Sequence, residues 1–400
     1  MFGFRSPRSS RVALALAAAS ALAACKEEKL SPMPPSSASA QGPKAPAVGG
    51  RLGAAIQAAA SAAAAPIGSA SERPPETGIF EPGEADKASP PGALPKVTIV
   101  QEGSGPKTQL AYDLTREQTV KTSFYVQVQQ GGMRRATPKL TLTLTLNPSS
   151  KAAKPAKGDK APKGDKAPKG DKGDAPATTA LPLPAGATRV PARIVSLAPE
   201  VVEKGEQAEL DKLAGLEFSL SMTPQGWVRA VDFPTSQELS SDFVANPRVA
   251  LEGLNLSTPV LPDKPISAGT TWMVVDRSRW PGSEIEVVRY RAFQLTSVSK
   301  GTFTIDLQST QYAADGKMMA EGDGKPVSVQ LDQFASQGKG RMVLSGEANA
   351  LGLAPFQSEL VQQVAVGLSA GGRPQTAAQA FVFTVGDGLP KEVLDEPPPR

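Results

Sequence analysis

Between Leu140 and Leu146 the chain reads Leu-Thr-Leu-Thr-Leu-Thr-Leu, and this two-residue alternation constrains the fold more than any other stretch. Successive side chains of a β-strand point to opposite faces, so alternate leucines are buried together on one side of a sheet. The pattern recurs. Phe124, Val126 and Val128 alternate with Tyr125, Gln127 and Gln129, and Phe303, Ile305 and Leu307 with Thr302, Thr304 and Asp306. Phe381, Phe383 and Val385 repeat it once more. Such runs predict antiparallel strands with one buried and one solvated face. A hairpin is expected from 218–222 through Pro224-Gln225-Gly226 to 227–231. Further strands are expected near 108–114, 189–197, 270–277, 284–298, 326–332, 338–346 and 357–369. Two helices are expected, Glu206 to Ala214 and a stretch within Ser236 to Leu254 interrupted by Asn246-Pro247. The expected fold class is mainly β, with long antiparallel strands forming a curved sheet or open barrel.

Composition divides the chain around that domain. Residues 26–95 are rich in Pro, Ala, Ser and Gly and poor in large apolar side chains. Such a stretch buries too little apolar surface to offset chain entropy, so it is expected to be a disordered tether. Residues 148–187 interrupt the strand pattern, with Lys-Gly-Asp-Lys-Ala-Pro at 157 and 163 and an altered copy at 169. Glycine falls only every sixth residue there, which excludes a collagen triple helix. The expectation is a disordered insertion within a β-rich domain spanning 96–390, followed by a loose tail from Lys391 to Arg400.

The chain has no histidine and one cysteine, Cys25. That removes His-based nucleophilic machinery, His-ligated zinc, thiolate metal clusters and disulfides, and no cofactor is expected. The net charge of +4 is concentrated outside the domain. Segment 151–174 holds eight lysines against four aspartates, a net of +4, and Arg5, Arg8 and Arg11 add +3, leaving −3 for the rest. No nucleic-acid footprint is expected on a slightly acidic remainder.

The segment before Cys25 has the anatomy of an export signal. Arg5, Arg8 and Arg11 precede an apolar run from Val12 to Ala24, too short for the roughly 20 residues that span a bilayer. The ending Leu22-Ala23-Ala24-Cys25 resembles the lipobox of bacterial lipoproteins. That resemblance implies cleavage between Ala24 and Cys25 and lipidation of the Cys25 thiol. Two or three acyl chains, at about 0.8 kcal/mol per buried methylene, make a practically irreversible anchor. Lys26 in place of the Asp that marks inner-membrane retention implies the outer membrane by the same analogy. The alternative is ordinary secretion after Ala21-Leu22-Ala23, leaving a free thiol.

Candidate chemistry in the domain is sparse. Ser297-Val298-Ser299-Lys300 has the Ser-x-x-Lys spelling, but on a strand residues three apart face opposite ways. Glu284 and Glu286 would share a solvent-facing strand face, and Asp113, Asp232 and Asp276 close apolar runs, where turn and strand-end roles are expected. Asp315-Gly316 and Asp323-Gly324 read as turns rather than calcium loops. Trp227 and Trp272 are expected in the core, and Trp280, beside Pro281-Gly282, in a loop. No catalytic or metal residue is nominated.

The passage Leu261-Pro262-Asp263-Lys264-Pro265-Ile266 before Gly269-Thr270-Thr271-Trp272 is similar to a recurrent element of uncharacterised bacterial lipoproteins. Gly338-Lys339-Gly340-Arg341, opening a strand, is another such likeness. At fold level the chain also resembles the open barrels of envelope lipoprotein carriers. The expected function is a non-enzymatic, membrane-anchored envelope protein whose curved sheet binds an apolar ligand or a partner protein. The alternatives are a structural or assembly lipoprotein without a small ligand, and a carboxylate-based hydrolase. If Cys25 only anchors the chain, C25S should move the protein from membrane to soluble fraction with unchanged circular dichroism. An unfolded soluble product would contradict that separation.

Overall fold

The Leu-Thr run forms a strand in which all four leucines are buried and the threonines lie half-exposed on the opposite face. The computed structural model describes residues 75–130, 133–148, 186–201, 210–232, 241–280, 283, 285–322, 325–370 and 373–388. A short helix α1 (Glu84–Ala88) is followed by β1 (Lys96–Gln101), β2 (Gln118–Gln130), β3 (Met133–Ala136), β4 (Leu140–Leu146) and β5 (Thr188–Pro199). Next come β6 (Glu217–Met222), β7 (Val228–Asp232) and helix α2 (Ser241–Ser257). The second half holds β8 (Thr271–Arg279), β9 (Glu286–Ser299), β10 (Thr302–Ala313), β11 (Lys317–Gly322) and β12 (Lys325–Glu347). It ends with β13 (Ala350–Leu351), β14 (Gln357–Ala370) and β15 (Arg373–Val385).

The strands make one antiparallel sheet, mainly β as the alternation predicts, ordered β1-β8-β9-β10-β12-β14-β15-β2-β4-β5-β6-β7. It is not closed: β1 and β7 are its two ends. Chain order splits it into two runs. Strands β2 to β7 neighbour one another, as do β8 to β15, and the two runs meet only where β15 pairs with β2 from Ala378↔Gln129 to Val385↔Thr122. The sheet curls. Trp280, just beyond β8, packs edge-on against Phe381 of β15 with ring centroids 5.3 Å apart. Five ladder steps on a flat sheet would separate those strands by about 24 Å.

Residues aligned by register fill the inner face. One row runs Trp272, Phe293, Leu307, Gly340, Leu360 and Phe383, on to Phe124 and Leu140. Gly340 fits where a side chain would meet the Glu359 carbonyl and Leu360. Over the seam lies α2, packed on β15, β2, β14 and β4, with Val249, Ala250, Leu251, Leu254 and Leu256 buried. Gly253 lets it approach: a Cβ there would sit 2.1 Å from the Phe383 ring. The 258–267 segment follows it inward, and the Trp272 indole donates to the Val260 carbonyl at 2.8 Å.

Several expectations need correction. Residues 108–114 are not a strand: Ala111 and Asp113 donate to the Ala348 and Leu351 carbonyls of the β12–β13 hairpin, while Tyr112 between them donates to the Pro224 carbonyl of the β6–β7 turn. The strands expected at 326–332 and 338–346 are one, β12, so Gly338-Lys339-Gly340-Arg341 lies mid-strand. Helix α2 runs through Pro247 without interruption, its last turns held by the burial just described. Structure begins upstream of Lys96. Phe80 is buried against Tyr312, and Phe80 N–H donates to the Ala313 carbonyl. Two large apolar residues, Ile79 and Phe80, suffice to dock that part of the expected tether. Of the helix expected at 206–214, residues 206–209 lie outside the described residues, as do 25–74, 149–185 and the tail 391–400.

G253V should force α2 off Phe383 and destabilise the fold by ~1–3 kcal/mol, as overpacking does. Urea unfolding followed by tryptophan fluorescence checks this. An unchanged midpoint would mean the helix does not depend on that approach.

Candidate functional site

The buried charges of the inner face fall in two adjacent rows. On β8, Trp272, Val274 and Asp276 are in phase, and on β9, Arg289, Arg291 and Phe293 are. The charged residues therefore point inward. Asp276 pairs with Arg289 across the ladder, and Val274 with Arg291. Opposite β9, Arg291 faces Ser309 and Arg289 faces Gln311 of β10. Ser336, Gly338 and Gln362 continue the two rows on β12 and β14.

Hydrogen bonds tie most of this belt together. Arg289 Nε donates to Asp276 Oδ1 at 3.0 Å, and its Nη2 donates to Oδ2. Arg291 Nη2 donates to the same Oδ2 at 3.1 Å. On the other side Ser309 Oγ donates to Gln362 Oε1 at 2.7 Å, and Gln362 Nε2 donates to Ser336 Oγ at 2.8 Å. Gly338 makes room for this: a Cβ there would stand 2.0 Å from Gln362 Oε1. Two side chains are left incomplete. Among the described residues Arg291 Nε and Nη1, and both amide atoms of Gln311, have no hydrogen-bond partner, although both residues are at most 1% exposed.

The electrostatics favour binding over proton transfer. Burial would raise the Asp276 carboxyl, but the charges and hydrogen bonds of Arg289 and Arg291 outweigh it and hold the carboxyl below its ordinary value. Burial pulls the Arg291 guanidinium down to about 10, against the opposing pull of Asp276, so it stays charged at neutral pH. Within this trio two guanidiniums thus share one carboxylate, an excess of one positive charge. The Arg291 guanidinium also lies 5.5 Å from the Phe293 ring centroid. Nearby, the buried Tyr112 hydroxyl donates to the Pro259 carbonyl at 2.9 Å, its ring against Gly226.

The residues singled out in sequence fall elsewhere, with one exception. Ala24, Cys25, Glu284 and Asp323 lie outside the described residues. Glu286 is exposed and paired with Arg277, which also holds Asp86. Asp113 accepts from the Thr115 N–H at 2.9 Å and Asp315 from the Lys317 N–H at 2.9 Å, both as turn residues. Ser297 meets Thr304 at the end of β9. Trp280 lies just beyond the end of β8, as expected, and is buried there against Phe334 and Phe381. Asp276 is the exception and a correction. It sits inside β8 rather than closing it, and the missed signal is that it shares the phase of Trp272 and Val274.

An open depression of about 830 Å³ lies at the other end of the sheet, lined by Asp113, Arg116, Phe303, Glu347, Ala348 and Ala350 among others. Among the described residues no helix is long and apolar enough to cross a membrane, and no group of three His, Cys, Asp or Glu could hold a metal ion. No protein-family profile matches the chain, and no curated protein matches it in sequence.

D276N would leave two buried guanidiniums uncompensated and should cost ~3–5 kcal/mol. Because the folded carboxyl titrates below its unfolded value of 3.8, this contribution is full above that pH. It fades as pH falls through the folded value. Urea unfolding of both proteins from pH 7 to 2.5 should show curves that converge only below about pH 4. A gap unchanged at pH 2.5 would refute the ionised assignment.

Proposed function

We propose that the chain is a non-enzymatic protein of the bacterial envelope, anchored through lipidated Cys25 in the outer membrane, whose curled sheet receives an apolar ligand. The observation that carries this reading is how α2 occupies the interior. Thr122 Oγ1 and Ser358 Oγ, register neighbours on either side of Val385 on strands that α2 packs against, are buried without hydrogen-bond partners among the described residues. Asn255 Oδ1 and Ser257 Oγ of the helix itself are in the same condition. Each such atom costs ~1–3 kcal/mol. A helix seated at that cost, over rows of Phe, Leu and Trp, is exchangeable for a ligand that offers more apolar contact.

A second reading rests on a different observation. Strand β1 is a sheet end whose residues are exposed or half-exposed, with Val100 on it and Leu94 just before it among the exposed large apolar side chains. An uncovered edge of this kind pairs readily with another chain. That supports an assembly lipoprotein that takes a partner strand.

Native mass spectrometry of the full-length protein after gentle membrane extraction separates these readings. A single co-purifying molecule of lipid mass supports the ligand reading, and a stoichiometric protein supports the second. A bare monomer, in several extraction conditions, would count against both.

A further inference from the structure

We propose that Arg291, with the Gln311 amide beside it, receives the oxyanion head of an amphiphilic ligand inside the sheet. This rests on the reading of the interior as a ligand site and adds the ligand's chemistry.

Three observations point to it. The first is charge: Asp276 is shared by two guanidiniums, so this trio carries one positive charge in excess. Buried charges are tolerated when paired, which makes a singly charged anion the complement. The second is hydrogen bonding. Arg291 spends one Nη2 donor on Asp276 and leaves Nε and Nη1, which lie on the two different edges of the guanidinium, without a partner among the described residues, so each edge keeps a donor for an oxyanion oxygen. Gln311 stands diagonally across the β9–β10 ladder from Arg291, and its unused amide supplies a further donor. The third is layering. The belt lies between two apolar layers, Trp280 and Phe334 on one side and Trp272, Phe293 and Leu307 on the other, with Phe381 closing the row of Gln362. A head held in the belt would place its tail against one of them. The polar atoms that are already satisfied, in Ser309, Gln362 and Ser336, bond to one another and do not compete.

The test uses the full chain carrying C25S, titrated with sodium oleate below its micellar concentration, with oleyl alcohol as the uncharged tail and sodium acetate as the tail-less head. Trp272 stacks on Phe293 at 5.5 Å, so its fluorescence reports on the site. Oleate is expected to bind at one equivalent and at least about tenfold more tightly than oleyl alcohol, the margin one charge-assisted contact supplies. R291M should remove that margin and R291K retain part of it, while Q311L should reduce it less. Equal binding of oleate and oleyl alcohol to the C25S protein, or an undiminished margin in R291M, overturns the oxyanion site while leaving an apolar ligand site standing. Binding of neither amphiphile overturns both. Acetate alone acting as strongly as oleate, through Arg291, retains the oxyanion and overturns the amphiphile. If R291M fails to fold, the comparison of oleate with oleyl alcohol and the Q311L titration still decide.

Discussion

The structure depends on register. Each inner row is assembled from six or more strands, and a one-residue slip in any ladder would turn that strand's apolar set to solvent. The rows hold because bulk is matched across them. Gly340 faces Leu360 and Leu307, and Gly338 yields its space to the Gln362 side chain. The polar belt strengthens the same constraint. Asp276 can meet Arg289 and Arg291 only when β8 and β9 pair as they do. In any other register a buried charge loses its partner, at a cost larger than most core substitutions. The cluster thus contributes specificity of pairing whatever its net effect on stability.

The sheet was legible in the sequence because its strands are long and face two environments. Leu140 to Leu146, Phe303 to Leu307 and Phe381 to Val385 state their inner face by alternation alone. What lies inside the curl was not legible in the same way. Residues 108–114 look strand-like from their apolar side chains, yet the hydrogen bonds of 111–113 alternate between the β12–β13 hairpin and the β6–β7 turn. Pro247 suggests a break, but burial of the following turns decides for a helix. Such segments answer to tertiary partners, which period and propensity do not record.

The belt stood between these cases. Arg289 and Arg291 occupy the inner phase of β9, flanked by Val287 and Phe293, and Asp276 shares the phase of Trp272 and Val274. Charges in the apolar phase of two predicted strands are a signal available from sequence, once phase is assigned. Which acid meets which base, and which donors are left over, depends on strand order. No local pattern gives that.

The division of the sheet into two runs governs how the chain can assemble. Strands β2 to β7 pair mostly with near neighbours in the sequence, as do β8 to β15, so each run can zip from local hairpins. Two ladders cannot. Strand β1 must wait for β8, and β2 must wait for β15, whose last residue is Val385. The central seam is thus sealed by β15, the last strand among the described residues, and α2, the connection between the runs, lies across it. A chain still being synthesised or threaded through a narrow channel has no complete core to resist passage. The local hairpins can form early, but the core they share is completed only when β15 takes its place beside β2.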